Sequence, residues 1–296
     1  MLWIVWGSTY MGLALMVKSM QPLLGSGSRF FTASLVLGTI VLLVKGPSAF
    51  HVTRAQVRGA AFMGVSILGL SIGILSLAQR YVPSGIAALI VSVMPLWIIL
   101  FRLRAGDRPS RLTSVGVGIG LIGLVYMLLP GGTTPASGAS TTQVALWSIA
   151  IAFGSFSWAF FSYRSTSYEQ PKEPMTTAVI ELATAGVLLV IVGALIGERW
   201  DFGVITTESW FGWWYLVAAS ALAYGAFVWL LNNAPMSLVS TYAYVNPVVA
   251  VILGIVILNE AITSDVIVGL SIVVGGVVLV VTGERRTRLR LAEQPE

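Results

Sequence analysis

Ten apolar stretches follow one another along the chain, and most of them are long enough to cross a lipid bilayer. A helix needs about 20 mostly apolar residues to span the hydrocarbon core. Of the 296 residues, 56% are hydrophobic and only 10% are charged, so little of the chain suits contact with water. The sequence therefore predicts an all-α integral membrane protein with ten transmembrane helices. The predicted spans are residues 2–17, 23–44, 57–78, 83–101, 112–129, 144–163, 175–196, 210–231, 236–257 and 264–282.

Lysine and arginine are concentrated in the connectors on one side of these predicted helices. Cytoplasmic loops of membrane proteins carry an excess of both residues. With the N-terminus inside, 13 of the 17 basic residues fall on the cytoplasmic side. Both termini are therefore predicted to be cytoplasmic, and the net charge of +5 reflects topology rather than nucleic-acid binding. The 13 residues are Lys45, Arg54, Arg58, Arg102, Arg104, Arg108, Arg111, Arg164, Lys172, Arg285, Arg286, Arg288 and Arg290.

The second half of the sequence repeats the first at a shift of 152 residues. Pro22, Pro83 and Pro95 coincide with Pro174, Pro235 and Pro247, where chance predicts about a quarter of one proline pair. Because each half holds five helices, the second copy crosses the membrane in the opposite direction, which makes two inverted five-helix repeats. Inverted repeats favour alternating-access transport around a site between the halves. The predicted units are a first repeat at 1–130, an extracytoplasmic linker at 131–143, a second repeat at 144–283 and a cytoplasmic basic tail at 284–296.

Several residue types and motifs that other functions need are scarce or missing from the sequence. The chain has no cysteine and one histidine, His51, so it offers no disulfide and is a poor candidate for a metalloenzyme. The sequence contains neither a nucleotide-binding loop nor a nucleophilic serine motif. We therefore expect no catalytic residues, no metal, no cofactor and no enzyme activity. Transport energy is expected to come from a gradient rather than from ATP.

Five segments carry a resemblance to a known family. They are "WGSTYMGLALMV", "SRFFTASLVLG" and "YVPSGIAALIVSVMPLWIILF" in the first half, and "WAFFSYR" and "APMSLVSTYAYVNPVVAVILGIVILNEAIT" in the second. Across nearly its whole length the chain resembles EamA-type members of the drug/metabolite transporter (DMT) superfamily. The resemblance implies ten helices, cytoplasmic termini, a bacterial cytoplasmic (inner) membrane location and a central cavity lined mainly by helices 1, 3, 4, 6, 8 and 9. It also implies amino acid or other small-metabolite export, often in exchange for protons.

The first half departs from this family pattern at one loop. Asp107 and Arg108 stand near the place that Asn259 and Glu260 occupy in the second half. We therefore assign no role to Asp107.

Two ionisable residues, Arg29 and Glu181, lie inside predicted helices at matching positions of the repeat. Arg29 lies about 9 Å inside its helix, at 1.5 Å per residue. A lipid-facing arginine at mid-depth costs on the order of 3 kcal/mol, so it should face protein, water or the interface. Two interpretations stay open: Arg29 extends to the interface and ties down helix ends, or it contacts an anion or carboxylate at the outer gate. Glu181 is considered as a proton carrier, and the two are not expected to pair directly because their depths differ by roughly 10 Å.

Two prolines, Pro95 and Pro247, interrupt the predicted helices 4 and 9 at matching positions. Each frees one backbone carbonyl, that of Val91 or of Ala243. Such a break supplies polar backbone beside a cavity, although a packed kink without a ligand is the alternative. The predicted substrate-binding residues are Trp6, Tyr10, Gln79, Met94, Trp97, Trp158, Tyr224, Trp229, Tyr244 and Asn246, and the predicted gating or structural residues are Arg29, Pro95, Glu181 and Pro247.

These patterns together favour a secondary transporter that exports small metabolites, with amino acids as the best single class, by alternating access. An aromatic, nearly uncharged cavity also suits organic cations, so a multidrug or organic-cation exporter is one alternative. A non-transporting membrane scaffold is the other. The expected partners are a small-molecule substrate and the lipid bilayer, without nucleic acid, and the chain is expected to act as a monomer or a homodimer.

Overall fold

The chain forms ten helical segments in this computed structural model, which describes residues 2–106, 109–128, 138–233, 242–260 and 264–292. Within those ranges the regular structure is helical and contains no β-strand. The fold class predicted from the sequence, an all-α membrane protein with ten transmembrane helices, is therefore confirmed. The segments are α1 (Leu2–Val17), α2 (Pro22–Lys45), α3 (Arg54–Ala78), α4 (Ser84–Arg104), α5 (Arg111–Leu128), α6 (Thr141–Arg164), α7 (Pro174–Leu195), α8 (residues 207–233), α9 (Tyr242–Leu258) and α10 (Ser264–Ala292).

Most of these helices meet the length and hydropathy that a membrane span requires. In the described ranges, α2, α3, α4, α6 and α7 and the stretch Ile267–Thr287 of α10 are long and apolar enough to cross a bilayer. Shorter apolar stretches lie in α1, α5 and α9. The helix α10 continues to Ala292, past the predicted end at residue 282, because arginine, leucine and alanine beyond the apolar run are good helix formers.

Three helices begin three residues before the apolar runs that predicted them, because polar capping residues start each helix. Thr53 and Gln56 form a reciprocal capping box at the start of α3, and Ser140 and Gln143 form another at the start of α6. The Thr206 side chain accepts a hydrogen bond from the Ser209 amide at the start of α8. Hydropathy alone misses these first turns because their residues are polar.

The two halves of the chain pack mainly against each other. The helix α2 lies along α7, and α5 lies along α10. In the first half α1 contacts α8 and α9, and in the second half α6 contacts α3 and α4, which are the repeat counterparts. Every one of these contacts maps onto itself or onto another when the halves are exchanged. This pattern gives the fold an approximate twofold relation between its halves, and places the centre of the molecule at the interface between them.

Glycines allow the paired helices to approach closely. A Cβ atom added to Gly27 of α2 would lie 2.8 Å from the carbonyl oxygen of Gly186 on α7. On α10, a Cβ at Gly276 would lie 2.5 Å from the backbone nitrogen of Gly120 on α5. Small residues at such crossings let helix backbones touch, which drives helix association in membranes. The glycine faces of α5 and α10 therefore join the two halves.

Three helices are interrupted near the centre of the molecule. The helix α3 contains a π-helical turn at Gly64–Gly69, and its counterpart α8 contains one at Ser220–Tyr224. The helix α4 breaks between Val91 and Met94. A π-turn inserts one residue into the helix and leaves local carbonyls without their regular partners, and such turns occur frequently at functional sites. The interruptions of α3 and α8 lie at the level of the cavity described below.

Candidate functional site

A cavity of about 60 Å³ lies between the two halves. It is bounded by α1, α2 and α3 of the first half and by α6 and α8 of the second. Its walls combine aromatic rings with a few polar groups, and it has room for a few water molecules. The lining residues are Trp6, Thr9, Arg29, Phe30, Leu68, Ile72, Trp158, Ala219, Ser220, Ala223 and Tyr224.

Residues related by the repeat line this cavity in pairs. At the shift of 152 residues, Trp6 corresponds to Trp158, Leu68 to Ser220 and Ile72 to Tyr224. Both members of every pair belong to the lining. The cavity therefore lies close to the axis that relates the halves.

Among the described lining residues, Arg29 carries the one charged side chain. It is only 5% exposed, and its Nη1 atom donates a hydrogen bond of 2.8 Å to the Ser220 hydroxyl at the start of the α8 π-turn. Its guanidinium carbon lies 4.1 Å from the centre of the Phe30 ring. The Nε atom has no hydrogen-bond partner in the described part of the chain. Arg29 is therefore buried against protein at the site between the halves.

The second ionisable residue of the pair, Glu181, contacts the other end of the same π-turn. It is 4% exposed on α7, and its Oε2 atom accepts a hydrogen bond of 2.6 Å from the Tyr224 hydroxyl. Its backbone lies against Gly64, the first residue of the α3 π-turn, where an added Cβ would lie 2.5 Å from the Glu181 Cα atom. Arg29 and Glu181 make no ion pair with each other. One five-residue turn of α8 thus contacts both buried ionisable residues, the arginine at its first residue and the glutamate at its last.

Aromatic rings form one side of the cavity. The rings of Trp6 and Phe227 meet edge to face with centroids 4.6 Å apart, and those of Trp6 and Trp158 are 6.3 Å apart. The Trp158 Nε1 atom is buried and has no hydrogen-bond partner in the described part of the chain. Edge-to-face contacts hold these rings in place. The side of the cavity that they form suits the apolar part or the cationic end of a small solute.

Four residues predicted for the site or the gate line the cavity together: Trp6, Trp158, Tyr224 and Arg29. The structure places Glu181 directly behind Tyr224. Tyr10 and Met94 are buried in the hydrophobic core, and Trp97 packs against that core. Asn246 is buried on α9, where its backbone lies against Gly7 of α1. Pro247 is buried inside α9.

Two further predicted residues, like Tyr10, Met94, Trp97 and Asn246 above, lie outside the described cavity lining. Gln79, on the same face of α3 as Ile72 but about 10 Å further along the helix, lines a second cavity of about 400 Å³ with Lys18 and Arg80. Trp229 follows Tyr224 by five residues, which turns it by about 140° around the helix, and it is 46% exposed.

Some predicted features lie outside the described residues. The side chains of Tyr244 and Pro95 belong to this group, although both positions are in described helices. Asp107, Arg108 and residues 131–137 of the predicted linker also lie outside them.

Backbone carbonyls released by the helix interruptions are contacted by serines of α6. The Ser155 hydroxyl donates to the carbonyl of Val91, which is the group that Pro95 frees, at 3.4 Å. The Ser157 hydroxyl donates to the carbonyl of Ser66 within the α3 π-turn, also at 3.4 Å. These bonds meet the requirement that buried polar backbone finds a partner in the membrane.

Sequence reasoning missed Thr9, Leu68, Ile72 and Ser220 as lining residues. The repeat shift offered a usable signal, since Leu68 and Ser220 are counterparts of each other, as are Ile72 and Tyr224. Leu68 and Ile72 are ordinary apolar residues that nothing else distinguishes. The contact of Ser220 with Arg29 depends on the π-turn, which hydrophobic periodicity does not reveal.

Two carboxylates bind helix N-termini at the predicted outer side of the molecule. Glu198, after α7, accepts hydrogen bonds from the amides of Leu23 at 3.1 Å and Leu24 at 2.8 Å, at the start of α2. Glu260, after α9, accepts from the amides of Ser84 at 2.7 Å and Gly85 at 3.2 Å, at the start of α4. A carboxylate at a helix N-terminus satisfies free amides and interacts favourably with the helix dipole. We call Glu198 and Glu260 the outer clamps, because each joins the second half to the first.

Both outer clamps share one local geometry. The Glu260 amide donates to the carbonyl of Gly254 at 3.0 Å, and the Glu198 amide donates to the carbonyl of Gly193 at 2.9 Å. A Cβ at Gly254 would lie 2.5 Å from Glu260 Oε2, and one at Gly193 would lie 2.9 Å from Glu198 Oε2. Each glycine therefore leaves room for the clamp carboxylate to fold back across the end of its own helix.

Comparison with known families and proteins gives concordant matches. The sequence profile of the EamA-like transporter family matches residues 1–129 and 145–282. The uncharacterized inner membrane transporter YedA of Escherichia coli strain K12 is 34% identical over 285 residues, which covers 96% of this chain and 89% of YedA. The threonine/homoserine exporter RhtA of the same strain is 28% identical over 267 residues, covering 89% of this chain and 84% of RhtA.

A further relative and a solved structure extend these matches. Protein PecM of Dickeya dadantii strain 3937 is 26% identical over 285 residues, covering 93% of this chain and 88% of PecM. A crystal structure superposes with a TM-score of 0.68 at 18% identity, covering 99% of this chain and 96% of that one. At this identity the structural match supports the fold alone.

Proposed function

Because the chain belongs to the EamA-like transporter family, we propose that it is a secondary transporter that exports amino acids or closely related small metabolites by alternating access. The family and the relatives support a multi-pass transporter of the inner membrane. The substrate class, the direction of transport and the mechanism are the parts that we propose.

The paired lining of the cavity is the observation that carries the proposal. Trp6 with Trp158, Leu68 with Ser220 and Ile72 with Tyr224 lie on opposite halves around one space. When two inverted halves rock against each other, a site on their common axis is exposed to one side and then to the other. The π-turns of α3 and α8 lie beside this site, where a local change of helix geometry accompanies such a movement.

Amino acids fit the chemistry of the lining better than organic cations do. The buried guanidinium of Arg29 attracts a carboxylate and repels a cation, while the rings of Trp6 and Trp158 accept an ammonium group or an apolar side chain. The threonine/homoserine exporter among the relatives carries substrates of this class. A multidrug or organic-cation exporter remains the second candidate, because aromatic rings also bind quaternary ammonium groups.

Proton coupling is proposed for the contact between Glu181 and Tyr224. A buried carboxyl group within a membrane is a common site for binding and releasing a transported proton, and the Tyr224 hydroxyl links this carboxyl group to the cavity. Replacing Glu181 by glutamine keeps the size of the side chain and removes its titration. If the Glu181→Gln variant kept its full response to an imposed pH gradient, proton coupling through this residue would be excluded.

Flux into proteoliposomes tests the proposed function. The purified protein is reconstituted and supplied with labelled L-threonine, other amino acids and tetraethylammonium, with and without a pH gradient. We expect flux of one or more amino acids, lost in Trp158→Ala, whose ring lines the cavity. The matched control is Trp214→Ala on α8, because Trp214 is 59% exposed and lies outside the cavity lining. Flux of tetraethylammonium without any amino acid would favour the cation exporter.

The orientation and assembly are also proposals. We expect both termini in the cytoplasm, from the distribution of basic residues, and a monomer or homodimer in the bilayer. Protease protection of terminal tags in oriented vesicles checks the orientation, because cytoplasmic tags are cut only in inside-out vesicles.

A further inference from the structure

The guanidinium of Arg29 has hydrogen-bonding capacity that the protein does not use. Of its five N–H groups, the described part of the chain engages one, which donates from Nη1 to Ser220. The Nε atom is buried without a partner. Within the described part of the chain Arg29 makes no ion pair, and its charge is compensated there by a hydroxyl oxygen and the face of the Phe30 ring. A buried charge that lacks an opposite charge is costly, so its retention calls for a ligand that supplies one.

The carboxyl group of Glu181, the repeat counterpart of Arg29, makes its hydrogen bond to a different residue. Glu181 directs its Oε2 atom to the Tyr224 hydroxyl, four residues away from the Ser220 contact of Arg29 along α8. Among the described residues, the cavity lining contains no carboxylate. The described part of the chain therefore leaves the charge of Arg29 available to an anionic ligand.

A second donor without a partner lies in the same lining. The Nε1 atom of Trp158 on α6 is buried and has no acceptor in the described part of the chain. Both unpartnered groups, on Arg29 and on Trp158, are N–H donors, and neither is an acceptor. A ligand that satisfies them must present oxygen acceptors, and a planar carboxylate matches the fork of a guanidinium with two parallel hydrogen bonds.

We infer that Arg29 is the carboxylate subsite of the central cavity, so the transported compounds are carboxylic acids or zwitterions and not simple cations. This inference rests on the proposed function, and it adds which end of the substrate binds where. Both carboxylate oxygens accept hydrogen bonds from the guanidinium, the Trp158 N–H donates to one of the same oxygens, and the rest of the substrate lies against Trp6. Ser220 acts as a positioning residue that holds the guanidinium at the wall.

The absence of cysteine from the chain permits a direct test of the charge in the cavity. The variant Thr9→Cys places a single thiol in the lining. Its rates of modification are measured on the purified full chain with two methanethiosulfonate reagents, the negative sulfonatoethyl reagent and the positive trimethylammonium-ethyl reagent. The positive charge of Arg29 should attract the negative reagent and repel the positive one, because charges at short range are poorly screened inside the cavity. We therefore expect the modification rate of the negative reagent, divided by that of the positive reagent, to fall about tenfold when Arg29→Gln is added. Arg29→Lys keeps the ratio, and Arg58→Gln, an exposed arginine outside the lining, is the matched control that leaves it unchanged.

Protection of the same thiol tests the carboxylate preference. L-threonine and L-threoninamide differ in the carboxylate alone, and both are added at equal concentrations before the reagent. We expect L-threonine to slow modification of Thr9→Cys at concentrations at which the amide does not, and we expect this difference to vanish with Arg29→Gln. If Arg29→Gln does not yield a monodisperse protein, Arg29→Lys takes its place, because a lysine loses the two-pronged geometry and should weaken protection at least threefold.

Two results would overturn the inference: a rate ratio that Arg29→Gln leaves unchanged, or equal protection by L-threonine and its amide when Arg29 is present. These outcomes are separate from failure of the proposed function. Flux of L-threonine together with an unchanged ratio rejects the subsite and keeps the transporter. Selective protection by the carboxylate without flux of any amino acid keeps the subsite and rejects amino acid export.

Discussion

The outer clamp Glu260 provides a test of alternating access that depends on one hydrogen-bonded group. The perturbation is Glu260→Gln, which keeps the side-chain length and one oxygen acceptor but removes the charge. Its two bonds to the α4 amides, at 2.7 and 3.2 Å, join the second half to the first at the predicted outer side. If the halves separate there when the cavity opens outward, these bonds exist only in the closed form.

The magnitude follows from the difference between charged and neutral hydrogen bonds. A hydrogen bond to a charged group contributes about 1.5–3 kcal/mol and a neutral one about 0.5–1.5 kcal/mol. Replacing the carboxylate by an amide should therefore destabilise the outward-closed form by about 1–2 kcal/mol, which changes the ratio of closed to open forms by about 5 to 30-fold. A matching change is expected for Glu198→Gln, because the Glu198 carboxylate binds the start of α2 in the same way.

The assay measures how fast a membrane-impermeant thiol reagent reaches Thr9→Cys from outside intact cells. We expect Glu260→Gln to raise the rate by about 5 to 30-fold. The matched control is Glu208→Gln, since Glu208 also lies at the predicted outer side and pairs with Lys18 at 3.0 Å, but both side chains are about half exposed. Such a pair contributes about 0–1 kcal/mol, so the control should change little. The reasoning would be refuted if Thr9→Cys were labelled at the same rate alone, with Glu260→Gln and with Glu208→Gln.

Three further predictions follow from close contacts. Gly254→Ala should reproduce the faster labelling of Glu260→Gln with the carboxylate intact, since its Cβ would lie 2.5 Å from Glu260 Oε2; the labelling assay above checks it, and an unchanged rate would contradict it. Gly276→Ala should destabilise the protein by about 1–3 kcal/mol through overpacking against α5. Its control is Gly275→Ala, which should not destabilise the protein because an added Cβ there meets nothing within 4 Å. Thermal melting in detergent compares the two variants, and equal melting temperatures would count against the glycine contact. Tyr224→Phe should lower the free energy of unfolding by about 1–3 kcal/mol, because the buried carboxyl group of Glu181 loses its hydrogen-bond donor. The same melting assay checks this, and a melting temperature at or above that of the unchanged protein would argue against the bond.

Features carried by the repeat or by long apolar runs could be predicted from the sequence. The ten helices follow from hydropathy, and the placement of Trp6 and Trp158 in one cavity agrees with their equivalence in the two halves. The helices α3, α6 and α8 begin three residues before the positions that hydropathy predicts, because capping residues are polar and fall outside an apolar window. The sequence pattern does not fix how deep a residue lies along its helix: Gln79 shares a face with Ile72 but reaches a different cavity.

The remaining features depend on geometry that the sequence pattern does not encode. The contact of Arg29 with Ser220 requires both the crossing of α2 with α8 and the π-turn that begins at Ser220. A π-turn leaves no clear mark on hydrophobic periodicity, because one inserted residue shifts the pattern without breaking it. The outer clamps depend on chain segments more than 170 residues apart in the sequence, Glu198 with Leu23 and Glu260 with Ser84. Such pairings arise only when the whole chain is folded.

The packing of the two halves against each other has a consequence for biosynthesis. The helix α2 finds its partner α7 only after more than 120 further residues have been made, and α5 waits similarly for α10. At about 5–20 residues per second, the first half stays in the membrane for on the order of 10 s before its glycine faces are covered. During that interval lipid must cover surfaces that later join helices. A ribosome that stops after the first half therefore releases a chain with no stable partner, and such products should be removed by membrane proteases rather than accumulate.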